Sequence, residues 1–288
     1  MVEQAVGTEP RNLKQVAAEL GVHYMTAYRY VRTGRMHAEK VGNGWVVQAE
    51  DLQRFLDEAE GPTIETDQGG TAWHLRLADA LVTGDEPAAW RVVEQALASG
   101  RTPTQCYLEV LSDALTEIGA PSPDDDTSQE FLATATAARL VARLGGRFRR
   151  PGRSRGTVVF GAPVGELHSL PIAIVADLVR MEGFTCLELG ANVPSTAFAH
   201  AAQHAPDLVA VGIGVTTVAN IDAVRDTIEA VRELSPDVPI LLGGQAVLSP
   251  EIAALNGATH WAANGAEAVG VIADLAVARR AAPDASPT

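Results

Sequence analysis

His168 and Glu166 are the two residues of this chain whose types and spacing most directly suggest metal chemistry. An imidazole binds a metal through one ring nitrogen, and a nearby carboxylate can accept the proton on the other, which fixes the tautomer and makes the ligand more basic. Only Leu167 separates the two residues, in the segment PVGELHSLP. The spacing is compatible with a metal site in which His168 is the ligand and Glu166 its orienting group, and a solvated or structural histidine is the alternative at this point.

The elements that must position this pair are five β-α units between residues 157 and 282. Their strands are TVVFGA, TCLELG, LVAVGIG, PILLGG and HWAA, each followed by a helical pattern. This alternation predicts a flavodoxin-like (Rossmann-type), doubly wound parallel sheet. In that order the first and third strands are neighbours, and ligands bind at the crevice beyond their carboxyl ends. His168 follows the first strand and VTT follows the third, so His168 is predicted at the crevice.

Three segments, GELHSLP, GIGVTT and LLGGQAV, occur in the order and at the spacing of cobalamin-binding domains. The stretch 157–278 resembles that family, in which the histidine displaces the cofactor's own base from cobalt. The freed nucleotide tail then lies in a slot between sheet and helix. The resemblance implies a cobalamin cofactor, as adenosylcobalamin, methylcobalamin or another corrinoid form, with His168 as its lower ligand. The slot needs backbone without large side chains. The residues expected to bind the cofactor on this side are Glu166, His168, Ser169, Gly212, Gly214, Val215, Thr216, Gly243 and Gly244.

One position departs from the family pattern: Pro171 stands where the family has glycine after His-x-x. Proline suits the first turn of a helix and fixes φ near −65°. The helix is therefore expected to begin normally, provided that the glycine did not need a positive φ.

Residues 71–148 contain helical patterns alone and are predicted to form a four-helix bundle. A bundle before a cobalamin domain resembles corrinoid methyl carriers and light-sensing repressors of the CarH/LitR type, where it caps the upper face of the corrin. Those proteins carry Trp-x9-Glu-His in the cap. Here Glu130 matches the Glu, Phe131 replaces the His, and a Pro/Asp-rich loop around Ser122 replaces the Trp. Light-driven exchange of the upper ligand is therefore not implied for these residues, and Phe131 is the cap residue expected to touch the cofactor.

Residues 1–60 predict a winged helix-turn-helix. A helix from Leu13 to Leu20, a turn at Gly21 and a second helix from Tyr24 to Arg32 precede the hairpin VGNGWVV. The pattern resembles excisionase-like or MerR-related DNA-binding domains, although a helical protein-interaction module is an alternative. The second helix would enter the major groove of double-stranded DNA. The residues expected to contact DNA are Tyr24, Met25, Thr26, Arg29, Arg32, Arg35, Lys40 and Trp45.

The charge distribution supports a division into a small basic part and an acidic body. The chain has 288 residues and a net charge of −14, whereas residues 11–40 hold six Lys/Arg and two Glu, a net charge of +4. Cys106 and Cys186 are the only cysteines, too few and too far apart for a disulfide scaffold or a zinc site. No signal peptide or membrane span is indicated, which predicts a cytoplasmic protein.

The combination of a DNA-binding domain with a cofactor-binding domain predicts a cobalamin-binding transcriptional regulator. Cofactor state, with light as one candidate signal, would control DNA binding or the assembly of a homo-oligomer, a dimer or a tetramer. One alternative is a corrinoid methyl carrier of a methyltransferase system. Another is a degenerate domain that senses a different chromophore or ligand. The sequence shows no catalytic nucleophile, general-base pair or phosphate-binding loop, so the chain is not expected to be an enzyme.

Overall fold

The structure is a computed structural model that describes residues 10–20, 31, 36–41, 44–60, 72–119, 127–148 and 152–281. The chain divides into two compact units, residues 1–137 and 138–288. The division falls inside a long helix, so the first turns of that helix belong to one unit and the last turns to the other. Among the described residues, no helix combines the length and the apolar character that crossing a membrane requires.

The N-terminal part of the first unit has a small antiparallel sheet in the order β1-β3-β2. The predicted helix over Leu13–Leu20 is present, and β2 and β3 pair on either side of the predicted hairpin turn. Trp45 and Phe55 pack against a core that includes Leu13, Val16 and Leu52. The second predicted helix, apart from Val31, lies outside the described residues, so the winged helix-turn-helix stays a prediction. The elements are β1 (Arg11–Asn12), α1 (Leu13–Leu20), β2 (Glu39–Val41), β3 (Gly44–Val47) and α2 (Ala49–Glu60).

The rest of the first unit consists of helices with local sequence signals at their starts. Asp85 caps α4 by accepting a hydrogen bond from the backbone N–H of Ala88, and Thr102 and Gln105 form a capping box at the start of α5. Trp73 and Trp90 are buried among these helices. That these helices form a cap remains a prediction. They are α3 (Trp73–Val82), α4 (Glu86–Ala98), α5 (103–118, with a π-helical centre at Cys106–Ser112) and α6 (Thr127–Arg147).

The second unit is built on a parallel sheet of five strands in the order β5-β4-β6-β7-β8. This is the flavodoxin-like order that the sequence predicts, with the first strand of the sheet between the second and the third. The interior strand β4 is buried along its whole length. The strands are β4 (Thr157–Gly161), β5 (Thr185–Glu188), β6 (Leu208–Gly214), β7 (Ile240–Gly243) and β8 (His260–Ala262).

Helices cover both faces of this sheet because successive side chains of a strand point to opposite faces. Val159, Val211 and Leu242 share one core with α8 and α9, whereas Val158 and Leu241 share the other with α7 and α11. Loops follow the carboxyl ends of β4, β6 and β7 before the next helix begins. The helices are α7 (Leu170–Met181), α8 (Ser195–His204), α9 (Ile221–Leu234), α10 (Pro250–Leu255) and α11 (Gly265–Ala281), with a short 3₁₀ helix at Val218–Asn220.

Candidate cofactor site

The loop after β4 carries both Glu166 and His168, and its first residues are fixed to the loop after β5. The backbone N–H of Ala162 donates to the carbonyl of Gly190 at 2.9 Å, and the N–H of Val193 donates to the carbonyl of Ala162 at 3.0 Å. Pro163 and Val193 form an isolated parallel bridge. The loop therefore leaves the sheet in a direction set by backbone hydrogen bonds.

Asn192 holds the next part of the loop by two hydrogen bonds. Its side-chain Oδ1 accepts from the N–H of Gly165 at 2.9 Å, and its own N–H donates to the carbonyl of Glu166 at 2.8 Å. Asn192 has φ +56°, a left-handed conformation that asparagine tolerates better than most residues. The backbone of Glu166 is thus fixed from the loop after β5.

The Glu166 side chain is buried and surrounded by donors. Its Oε2 accepts the backbone N–H groups of Thr216 at 2.8 Å and Thr217 at 2.9 Å, and Asn220 Nδ2 at 3.3 Å. Its Oε1 accepts the backbone N–H of His168 at 3.2 Å and is hydrogen-bonded to His168 Nδ1. A buried carboxylate needs such donors in place of water.

These contacts determine the charge state of Glu166. Burial on its own raises the pKa of this carboxyl, but hydrogen bonds from Thr217, His168 and Thr216 outweigh burial and lower the pKa from 4.5 to about 2. Glu166 is therefore ionised at neutral pH and presents a fixed negative charge to the imidazole.

His168 differs from Glu166 in exposure: 51% of its side chain is accessible, against 1% for the Glu166 side chain. With Nδ1 bonded to Glu166, Nε2 is the ring nitrogen left to bind a metal. The structure therefore brings together the pair that the sequence predicts, one partner buried and the other open to a ligand.

Ser169 and Pro171 show how the helix begins directly after this pair. Ser169 is the N-cap of α7, and Pro171 lies in the first helical turn, where a missing N–H costs no hydrogen bond. The replacement of the family's glycine by proline is accommodated as the sequence suggests.

Gly212 and Gly214 lie on the sheet face that α7 and α11 cover, and neighbouring side chains fill the space above them. A Cβ atom on Gly212 would lie 2.3 Å from Phe160 Cε1, and one on Gly214 would lie 2.5 Å from Ile172 Cδ1. The glycines thus allow close packing of Phe160 and Ile172 in this structure, where the sequence analysis expected open backbone. Their contact with a nucleotide tail stays a prediction.

Val215, Gly243 and Gly244 link the loops after β6 and β7. Val215 N–H donates to the Gly243 carbonyl at 3.0 Å, and the Val215 carbonyl accepts from Ala246 N–H at 3.1 Å. Gly244 has φ +107°, and a Cβ there would lie 2.2 Å from the Val215 carbonyl oxygen. The loop that presents Thr216 to Glu166 is therefore braced by the Gly-Gly turn.

The same loops expose large apolar side chains at the carboxyl edge of the sheet. Val164, Leu167, Val218 and Leu248 are 52%, 73%, 69% and 77% accessible. They come from the loops after β4, β6 and β7, the three loops that surround the predicted crevice. This edge presents an apolar surface next to an exposed imidazole.

The site includes three residues that the sequence does not predict. Asn192, Thr217 and Asn220 all bond to Glu166 or its backbone, yet they belong to loops far along the chain from it. The sequence offers one indication of these contacts: the three residues follow strands whose carboxyl ends lie at the same edge of a parallel sheet.

Other predicted site residues lie elsewhere or outside the described ranges. Phe131 is on α6 in the first unit and is 76% accessible. Lys40 lies in β2, and Trp45 in β3 packs against the N-terminal core. The remaining residues expected to contact DNA lie outside the described residues: Tyr24, Met25, Thr26, Arg29, Arg32 and Arg35.

Three segments of the chain match models of known protein families. Residues 156–271 match a model described as a B12 binding domain, and residues 74–121 match a second model with the same description. Residues 12–60 match a helix-turn-helix domain.

Characterised relatives are corrinoid proteins. Trimethylamine corrinoid protein 1 of Methanosarcina acetivorans is 29% identical over 151 residues, covering 49% of this chain and 68% of that protein. The dimethylamine corrinoid protein of Methanosarcina barkeri is 25% identical over 206 residues, covering 69% and 95%. The structure of the Methanosarcina barkeri monomethylamine corrinoid protein has a TM-score of 0.61 at 18% identity and covers 72% of this chain and 100% of that chain, which shows a shared fold.

These relatives correct the functional prediction. The prediction of a cobalamin-binding, DNA-binding transcriptional regulator is wrong, because relatives that match are named as trimethylamine, dimethylamine and methanol corrinoid proteins. Double-stranded DNA as the partner is wrong for the same reason, and the packing of Trp45 against a core gives that residue a structural role. The cofactor prediction, in contrast, is confirmed: this chain is a cobalamin-binding protein.

Proposed function

We propose that this chain is a corrinoid methyl carrier, which holds the cofactor through His168 and presents its cobalt to methyltransferases. The observation that carries the proposal is the Glu166–His168 pair at the carboxyl edge of the sheet, with Nε2 left for cobalt. In this proposal the chain is not itself a catalyst, since the reaction with methyl donor and acceptor belongs to its partners. The proposal retains the three domains predicted from the sequence, which are residues 1–60, 71–148 and 157–282.

The residues present fit a corrinoid. A corrin ring would bind cobalt through its own nitrogens, so the protein would need to supply a single ligand, His168. Within the described ranges, no three His, Cys, Asp or Glu side chains come together as a metal site, which agrees with a single ligand such as His168. The exposed Val164, Leu167, Val218 and Leu248 offer the apolar contact that the face of a large macrocycle requires.

The chain's own groups have separate tasks in such a carrier. Bound cobalt supplies the chemistry of accepting and releasing a methyl group. Glu166 keeps the Nδ1 proton on the imidazole, which fixes the tautomer and makes Nε2 a stronger ligand. The loops after β5 and β6 hold Glu166 in place by hydrogen bonds from Asn192, Thr216 and Thr217.

Methyl transfer from the loaded protein tests this function. The protein would be loaded with methylcobalamin, freed of excess cofactor and mixed with a thiol and a methylcorrinoid:thiol methyltransferase. We expect a methylated thiol to form faster than from the same concentration of free methylcobalamin. His168→Ala should lower the rate about tenfold or more, as loss of a ligand or its partner typically does.

His200→Ala is the matched control, because His200 is an exposed histidine on α8, away from the site. It should transfer methyl groups at the wild-type rate. A protein that binds no corrinoid, or one that transfers no faster than free methylcobalamin, would contradict the carrier function.

A further inference from the structure

We infer that His200 and His204 form a binding site for a divalent transition-metal ion on the exposed face of α8. The ion belongs to the class that binds imidazole nitrogen well, which includes Zn²⁺, Ni²⁺ and Cu²⁺. The inference does not rest on the proposed function, because neither histidine belongs to the loops that hold Glu166 and His168.

The two histidines share one face of α8 because they are four residues apart, in the segment HAAQH. Side chains at positions i and i+4 of a helix are neighbours, with about 5–6 Å between their Cβ atoms. Phe198 and Ala202 lie on the other side of the helix and pack into the core of the second unit. Both histidines are exposed, so their rings are accessible to an ion from solution.

A hydrogen bond fixes the tautomer of His204. Its Nδ1 is 2.8 Å from the backbone carbonyl oxygen of His200. A carbonyl oxygen can only accept a hydrogen bond, so Nδ1 carries the proton and Nε2 keeps the lone pair that binds a metal. Metal-binding histidines usually donate their other ring N–H in this way. His204 is therefore held in the tautomer that a metal ligand requires.

A role at the helix end accounts for only one of the two histidines. A histidine in the last turn of a helix can bond a backbone carbonyl and interact favourably with the helix dipole, and His204 is such a residue. His200 lies one turn further from that end. The two rings meet edge to face, with centroids 6.5 Å apart and planes at 72°. A shared ion explains both imidazoles, whereas the helix end explains His204 alone.

The rings need a small movement to share an ion. Imidazole nitrogen binds Zn²⁺ at about 2.0–2.1 Å, so two ligating rings at a tetrahedral ion lie closer together than centroids 6.5 Å apart. Rotation of the exposed His200 side chain closes this distance, and such side chains change rotamer within nanoseconds. Among the described residues no three His, Cys, Asp or Glu side chains form a metal site, so water completes the coordination.

Negative charge on the neighbouring helix favours a cation at this place. Helices α8 and α9 pack into the same core, and α9 carries four acidic residues against two arginines, a net charge of −2. Three of these acids, Asp226, Glu229 and Glu233, are exposed. Together with the net charge of −14 on the whole chain, they raise the local concentration of cations.

A zinc titration tests the site. Each protein would first be loaded with cobalamin, so that the cofactor site is occupied, and then titrated with ZnCl₂ in a calorimeter. We expect the wild type to bind Zn²⁺ at one site. His200→Ala and His204→Ala should each raise the dissociation constant about tenfold or more, because removal of a ligand costs at least as much as removal of a ligand's partner.

A spacing variant separates a metal site from the mere presence of histidines. His200→Ala combined with Gln203→His keeps the number of histidines but makes them adjacent in sequence, so that they do not face each other on the helix. It should bind Zn²⁺ as weakly as the single variants. His260→Ala removes a histidine from β8 and should leave the dissociation constant unchanged. Thermal melting without zinc checks that every variant is folded, and added zinc should raise the melting temperature of the wild type.

Three results would overturn the inference. They are a wild type that binds no zinc, a single variant with a dissociation constant within twofold of wild type, and a spacing variant that binds as tightly as wild type. The last result would mean adventitious binding by exposed histidines. The affinity for cobalamin should be the same in all these variants, so the failure of the zinc site would leave the carrier function intact.

Discussion

Glu166 is a buried residue whose carboxylate is stabilised by hydrogen bonds from its neighbours. The lowering of its pKa from 4.5 to about 2 means that the folded state favours the carboxylate by about 3 kcal/mol. Because the folded pKa is below the unfolded one, this contribution is complete above pH 4.5 and is lost as the pH falls towards 2. The same charge keeps a proton on His168 Nδ1.

Glu166→Gln removes this charge and nearly preserves the shape of the side chain. We expect the free energy of unfolding of the apoprotein to fall by about 2–3 kcal/mol at pH 7, since hydrogen bonds to a charged group are replaced by neutral ones. Urea unfolding at several pH values would measure it. The difference between wild type and variant should shrink between pH 4.5 and 2, and a difference independent of pH would argue against an ionised Glu166.

The sequence predicts the pair itself but not its surroundings. His168 and Glu166 are close in sequence, so their spacing alone suggests a contact. The donors Thr216, Thr217 and Asn220 come from a loop fifty or more positions away, and which of their groups meet Glu166 depends on how two loops pack. Such contacts cannot be inferred from residue types without the fold.

At the scale of elements, the Gly243-Gly244 turn braces the loop that carries Thr216. Gly244→Ala would force a side chain into a φ of +107° and against the Val215 carbonyl oxygen. We expect a loss of about 2 kcal/mol or more in the free energy of unfolding and a weaker affinity for corrinoid. Chemical unfolding and a cobalamin titration would measure the two effects.

Gly270→Ala provides the matched control. Gly270 lies within α11, and an added Cβ there meets nothing within 4 Å. Alanine should stabilise the helix by about 0.5–1 kcal/mol and leave corrinoid affinity unchanged. Equal behaviour of the two glycine variants would mean that the turn after β7 does not support the site.

The alternation of strands and helices in the sequence predicts the order of the strands. It does not predict which side chains occupy the space beside Gly212 and Gly214. Alternating side chains and short loops restrict a sheet to few topologies, and the first and third strands were correctly placed side by side. The positions of Phe160 and Ile172 over Gly212 and Gly214 depend on side-chain packing between sheet and helix. A glycine in a strand indicates close approach but not which group approaches.

At the scale of the whole molecule, both B12-binding matches lie after residue 73. Removal of residues 1–71 should therefore leave the affinity for cobalamin and the rate of methyl transfer unchanged. A cobalamin titration and the thiol methylation assay would check this. Loss of cofactor binding in the shortened chain would show that the N-terminal residues take part in the cofactor domain's function.

The error in the predicted function also belongs to this scale. The helix-turn-helix pattern predicted for residues 1–60 favoured a regulator, although the cofactor segments are also typical of a carrier. Residues can indicate what a site binds, because ligand chemistry is local. They do not indicate which of two joined segments defines the activity of the whole chain.

Identifying the lower ligand of bound cobalt would show directly whether His168 holds the corrinoid. Uniformly ¹⁵N-labelled protein would be loaded with unlabelled cob(II)alamin and its electron paramagnetic resonance spectrum recorded. A protein ¹⁵N ligand splits the cobalt lines into doublets, whereas the cofactor's own ¹⁴N base gives triplets. We expect doublets in the wild type and their loss in His168→Ala. Triplets in the wild type, or doublets that survive the substitution, would contradict it.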